Sequence, residues 1–110
     1  MLEKKIARVA GAVTETLKKK NIDFEKIVIY GSYIRKASNL AKDIDLIIVS
    51  KNFRHKDIFQ KVEITKGVHR ELIARLNKPI DIRYYSDFEW QESTSPIMQI
   101  AKSEGIIFKA

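Results

Sequence analysis

The 110-residue sequence contains no cysteine. That excludes a disulfide framework and any thiolate metal site. It has no apolar run approaching the roughly 20 residues that a membrane-spanning helix requires. The first residues, MLEKKIARVAGAV, open with charge but hold no uninterrupted apolar stretch and no small-residue cleavage site, so no signal peptide is read. Repeats, low-complexity tracts and linkers are also missing. Acidic residues are in short supply, with 14 Asp and Glu against 21 Lys and Arg, a net charge of +7. A basic excess suits an anionic partner such as a nucleotide, nucleic acid or an acidic protein. The lysines are scattered, however, as on an ordinary solvated surface. Together these absences predict a soluble cytoplasmic protein.

Apolar residues make up 45% of the chain. That is enough for one domain, residues 1–110, with one modest core. Leu2, Ile6, Val9, Val13 and Leu17 recur at helical spacing and predict a helix over residues 2–20. Lys18, Lys19 and Lys20 fall in its last turn, where cations favour the helix dipole. Lys26 to Tyr30 reads as a buried strand that stops at Gly31. Ser32 is placed to cap a short helix over Tyr33–Ala37. Ile44 to Val49 reads as a second buried strand. Ile58, Val62, Thr65, Val68, Leu72 and Leu76 predict one long amphipathic helix. Pro79 opens a third strand, Ile80 to Tyr84. Residues 86–96 read as a polar segment, Ile97 to Ser103 as a short helix ended by Gly105, and Ile106–Lys109 as a last strand. The unit from Asp43 to Tyr84 is strand, helix, strand, so its strands should lie parallel with a right-handed crossover. The first two strands have a short connection that favours antiparallel pairing. The expected fold is α/β, a small mixed sheet with flanking helices.

Within that frame the stretch IVIYGSYIRKASNLAKDIDLIIVS poses a chemical problem. Asp43 and Asp45 are two apart, so they share one face of a strand otherwise built for a core. Asp81 lies near the start of the third strand. Parallel neighbours would gather all three carboxylates at one end of the sheet, and an antiparallel first strand would bring Gly31 and Ser32 to that same end. Three close carboxylates repel and need compensation. Mg²⁺ supplies it, because hard cations take carboxylate and phosphate oxygens. Gly31 lets backbone approach a ligand closely, free N–H groups at the start of the following helix suit an anion, and the Ser32 hydroxyl adds a donor. This is equipment for phosphoryl or nucleotidyl transfer, in which two bound metals can hold the attacking and leaving oxygens. Taken singly, a D-x-D pair is more often a solvated strand end, and Asp81 could simply pair with Arg83 or Lys78.

The combination G-S-x10-D-x-D in VIYGSYIRKASNLAKDIDLIIV, with Asp81 in PIDIRYY, resembles the signature of the DNA polymerase beta-like nucleotidyltransferase superfamily. The likeness extends to the closing SPIMQIAKSEGIIFK, similar to the family's last helix and strand. At this length the sequence looks like the minimal nucleotidyltransferases, prokaryotic proteins often paired with a HEPN-domain protein. In some such pairs the nucleotidyltransferase is an antitoxin that moves AMP from ATP to a tyrosine of the toxin. The resemblance implies that Gly31 and Ser32 hold the nucleoside triphosphate. It implies that Asp43 and Asp45 bind Mg²⁺, and that Asp81 shares one metal and helps activate the attacking hydroxyl. Arg35 matches a basic residue of the short helix and is assigned a phosphate contact. Two positions depart from the family pattern: Lys36 stands where glycine is common, and Lys42 where serine often precedes the first aspartate.

The resulting expectation is an Mg²⁺-dependent enzyme that moves a nucleoside monophosphate, AMP from ATP, onto a hydroxyl of a HEPN-type partner. So short a chain lacks a second domain to grip a small acceptor, though a homodimer could build such a site. The rival is a non-catalytic nucleotide- and partner-binding module, kept open by the cation at Lys42. A nucleic-acid-binding domain rests on charge alone and ranks last. Other candidates read as structural. His55 and His69 are too far apart for a metal site, and His69 is taken as partly buried. Lys51 to Lys56 is a solvated basic loop far from the aspartates, and one or both of Phe88 and Trp90 close over the core edge.

Overall fold

In a computed structural model the chain folds as a four-stranded sheet, order β3-β2-β1-β4. The structure describes residues 2–36 and 43–110. The element order is α1 (Leu2–Lys19), β1 (Lys26–Tyr30), α2 (Ser32–Lys36), β2 (Ile44–Val49), a 3-10 turn (Lys51–Phe53), α3 (Ile58–Ile64), α4 (Val68–Leu76), β3 (Ile80–Tyr85), α5 (Asp87–Glu92), α6 (Pro96–Glu104) and β4 (Ile106–Lys109). β1 runs antiparallel to β2 and β4, while β2 and β3 are parallel. The mixed sheet and both pairings expected from the sequence are therefore present.

The period-two alternation of the strands divides the core between two faces. One face carries Ile27, Ile29, Ile44, Leu46, Ile48 and Ile80, and packs against the apolar stripes of α1 and α4. The stripe of α1 is Ile6, Val9, Val13 and Leu17, all buried. It stops at Asn21, whose left-handed φ of 57° ends the helix while the Ile22 N–H donates to the Leu17 carbonyl at 3.0 Å. Thr16, fully buried, donates to Glu71 of α4 at 2.9 Å and so ties the two helices together. The second face is smaller: Val28, Tyr30, Ile47 and Val49 pack under Trp90 of α5 and Met98 and Ala101 of α6.

Three expectations are corrected and one is extended. The single helix predicted over residues 58–76 is two. Gly67 takes φ 88° and opens α4, a left-handed conformation that cannot continue a helix. The two helices do not share one apolar face: Val68, Leu72 and Leu76 are buried, whereas Ile58 and Val62 face solvent. Residues 86–96, read only as a polar segment, hold α5 and the start of α6. Ser86 and Glu89 form a capping box that starts α5, and α6 begins at Pro96 under the Ser95 cap. Ser32 is the first residue of α2 rather than its cap, and the Gly31 carbonyl accepts from the Ile34 and Arg35 N–H groups at 3.2 and 3.1 Å. Ala37, expected to end that helix, lies outside the described residues, as does Lys42. His69 is exposed, not partly buried, although its Nε2 bonds the Ile80 carbonyl oxygen at 2.6 Å.

Candidate active site

Strand direction brings the singled-out residues together. β1 ends where β2 and β3 begin, so Tyr30–Gly31 arrives beside Asp45, and Asp45 stands directly opposite Asp81 in the parallel register. Alternation puts Asp45 on the face of Tyr30, Ile47 and Val49, under the thinner helical cover. Asp43 and Asp81 are exposed, and Asp45 is partly buried. Gly31 has φ 82°, and a Cβ built on it would fall on the Asp45 carboxylate. Only glycine lets this turn pass so close to a carboxylate oxygen.

Charge at the site is uncompensated on balance. Burial raises the Asp45 pKa above its ordinary value, and the like charges of Asp81 and Asp43 raise it further, while Arg83 and Arg35 pull the other way. Arg83 lies two residues beyond Asp81 on the same face of β3. Its guanidinium sits 3.9 Å from the Asp81 carboxylate and hydrogen-bonds the Tyr30 side chain. Its Nε is buried with no hydrogen-bond partner among the described residues. Desolvation lifts the Tyr30 pKa, and the bond from Arg83 partly offsets that lift. Arg35 is exposed and 4.0 Å from Glu104 of α6, within electrostatic reach of Asp45. Among the described residues no three acidic or histidine side chains are already assembled as a metal cage. The donors are hard carboxylate oxygens, which fit a divalent cation of the Mg²⁺ type that arrives with phosphate oxygens.

Tyr30 is the residue that sequence reasoning missed, and Arg83 appeared there only as a pair for Asp81. Both carried a signal: Tyr30 precedes Gly31 directly, and Arg83 follows Asp81 by two, the spacing that shares a strand face. The remaining candidates lie elsewhere. At the opposite end of the sheet a cavity of about 720 Å³ is lined by Phe24, Lys51, Arg54 and Asp87. Arg54 pairs with Asp87 there and lies 4.3 Å from the centroid of the Phe88 ring. The basic loop is thus remote from the carboxylates, as expected. Trp90 closes the core edge, at 6% exposure, and Phe88 does not, at 44%. No described helix is long and apolar enough to cross a membrane.

A mixed sheet that brings a Gly-Ser turn against paired strand-entry aspartates is the arrangement of nucleotidyltransferase folds. Family comparison agrees: the polymerase beta nucleotidyltransferase family matches residues 12–110, and the chain belongs to that family. Solved structures share the fold. A candidate nucleotidyltransferase from Sulfolobus solfataricus superposes with TM-score 0.60 at 18% identity, covering 96% of this chain and 83% of that one. A chain from a toxin–antitoxin structure with AMP-PNP gives 0.64 at 15% identity, covering 91% of this chain and 73% of that one. A candidate minimal nucleotidyltransferase gives 0.55 at 17% identity, covering 96% and 93%. No curated protein matches the sequence.

Proposed function

We propose that this protein transfers a nucleoside monophosphate, AMP from ATP, onto a hydroxyl of a partner protein, a HEPN-type toxin tyrosine by family resemblance. One observation carries the reading: the register that sets Asp45 opposite Asp81 beside the Gly31–Ser32 turn. Family membership and the likeness to a toxin–antitoxin chain with AMP-PNP support it. In this reading Gly31 and Ser32 hold the triphosphate, aided by the N–H groups that open α2, and Arg35 adds a phosphate contact. Asp43, Asp45 and Asp81 would hold Mg²⁺. Bound there, the metal supplies charge neutralisation and polarises the phosphoryl oxygens. Asp81, on the exposed edge strand, orients the incoming hydroxyl and accepts its proton. That oxygen attacks the α-phosphorus, a P–O bond to the acceptor forms, and pyrophosphate leaves. Arg83 holds Asp81 and Tyr30 in place from the same strand face.

The test uses the purified protein with α-labelled ATP, Mg²⁺ and the HEPN-type protein encoded beside it. Label should move to the partner with release of pyrophosphate. Asp81→Ala should abolish transfer and keep ATP bound, because the Gly31–Ser32 turn is untouched. A partner that binds tightly yet stays unmodified with ATP, GTP, CTP and UTP would replace this reading with the non-catalytic one.

A further inference from the structure

α3 is built inside out. It is a seven-residue helix with no buried residue, yet Ile58, Phe59 and Val62 are 70%, 81% and 62% exposed. Scattered apolar residues on a surface need no explanation; three on one short helix, beside an open sheet edge, do. Polar bonds fix α3 rather than burial. Asp57 and Gln60 form its capping box, and Lys61 reaches the Tyr84 carbonyl at 3.0 Å and Glu89 at 2.8 Å.

Between α3 and β3 runs a groove in two sections, of about 560 and 420 Å³. Val62, Ile82 and Tyr84 line both sections. Arg83 borders the first, and Asp81 borders the second. β3 is the outer strand of the sheet. Lys61 and His69 cap the outward carbonyls of Tyr84 and Ile80, which protects the edge against free strand pairing. The Ile82 peptide lies between these caps. The groove therefore leads an occupant along a guarded edge to Asp81.

The geometry points to this groove as the docking site for a segment of the acceptor-bearing partner protein, apolar at its centre and acidic at its flanks. This inference rests on the transfer reading for what the segment delivers, not for where it binds. Charge selects the occupant. Lys56 lines one end of the groove and Lys66 the other, and neither forms an ion pair among the described residues, whereas of the lining carboxylates Glu89 is matched by Lys61 and Asp81 by Arg83, and Asp57 accepts from the Gln60 N–H in the α3 cap. A second copy docked by two-fold symmetry would swap the ends, set Lys56 against Lys66, and add another +7 chain. An acidic-flanked segment meets both lysines favourably, which also speeds association.

The test measures fluorescence anisotropy with labelled 15-residue peptides that hold a tyrosine among leucines and phenylalanines. One carries Asp and Glu flanks, and its counterpart carries Lys flanks. The acidic peptide should bind at least ten-fold more tightly. Ile58→Asp/Val62→Asp, both exposed positions that line the groove, should keep the wild-type melting temperature and lose at least ten-fold in peptide affinity. Asp43→Asn/Asp45→Asn should bind peptide like the wild type. Unchanged affinity in Ile58→Asp/Val62→Asp, equal binding of both peptides, or no binding of either would overturn the assignment. A wild-type dimer in sedimentation velocity that this double variant dissociates would assign the face to a second copy instead. Peptide binding without any metal-dependent ATP binding would keep the docking site and remove the transfer reading.

Discussion

Replacing Asp45 by asparagine should make the metal-free protein more stable. Neighbouring strands lie about 4.8 Å apart, and Asp45 and Asp81 are direct partners across the β2–β3 pair. Two unit charges roughly 5 Å apart repel by about 1 kcal/mol at the dielectric of water and about 3 kcal/mol at an effective constant near 20. Arg83 and Arg35 offset part of this, and salt screens more, so a net gain of about 1 kcal/mol is expected. For a chain of this size that raises the melting temperature by about 5 °C. The sign follows from the titration. Burial and the two neighbouring aspartates raise the folded-state pKa of Asp45 above its ordinary 3.8. The stability tied to this group is then fully present below 3.8 and lost as pH rises through the folded value. Wild type and Asp45→Asn should therefore differ at pH 7.5 and converge below pH 4. Circular dichroism melts in EDTA at both pH values read this directly. A variant that melts at or below the wild type at pH 7.5, or keeps its advantage at pH 3.5, would refute the reasoning. Under the proposed function, Mn²⁺ should stabilise the wild type and leave the variant unmoved.

Gly31→Ala forces a Cβ onto the Asp45 carboxylate at a positive φ. It should cost about 1–3 kcal/mol in thermal or urea melts, whereas Gly11→Ala, in α1 with nothing within 4 Å of its added Cβ, should gain about 0.5–1 kcal/mol. Equal effects at the two glycines would dismiss the close-approach argument. At the far end of the sheet the Arg54 guanidinium, hydrogen-bonded to Asp87, holds that carboxyl down at about 2. The stability this pair gives is present above the ordinary 3.8 and lost as pH falls through about 2. Asp87→Asn should flatten the acid limb of a stability-versus-pH curve between those values, and an unchanged limb would show that the pair contributes nothing.

Much of the fold was legible because burial repeats leave a clear trace. The stripe Ile6, Val9, Val13, Leu17 fixed α1 to within a residue of its observed end. The apolar runs at 26–30 and 44–49 gave β1 and β2 with the observed bounds. The Asp45–Asp81 juxtaposition followed from one parallel pairing and one period-two count. The failures share a cause. From Ile58 to Leu76 a continuous helical period disguised two helices whose apolar faces point to different media. Only Gly67, an ordinary enough residue in a helix pattern, marked the break. The apolar residues of α3 read as core because periodicity records that a face is apolar and not what it faces. The SDFE capping box was visible, but the surrounding polarity outweighed it.

The two faces of the sheet carry different burdens. The α1–α4 face holds most of the large buried aliphatic side chains, and among the described residues none of its buried side chains is charged. The other face ends in Asp45, Arg83 and Tyr30, where a buried Nε lacks a partner among the described residues and a carboxylate is held against its solvation. A small domain with only a few kcal/mol to spare can keep such a cluster only if the opposite face over-stabilises the strands that bear it. β2 meets both demands at once. Ile44, Leu46 and Ile48 anchor it from one side, and the alternation that buries them delivers Asp45 to the other. A one-residue slip of β2 would turn the aspartates under α1 and α4 and move Ile44, Leu46 and Ile48 to the smaller second face. The same hydrophobic energy that stabilises the fold therefore fixes the register on which the carboxylate pair depends.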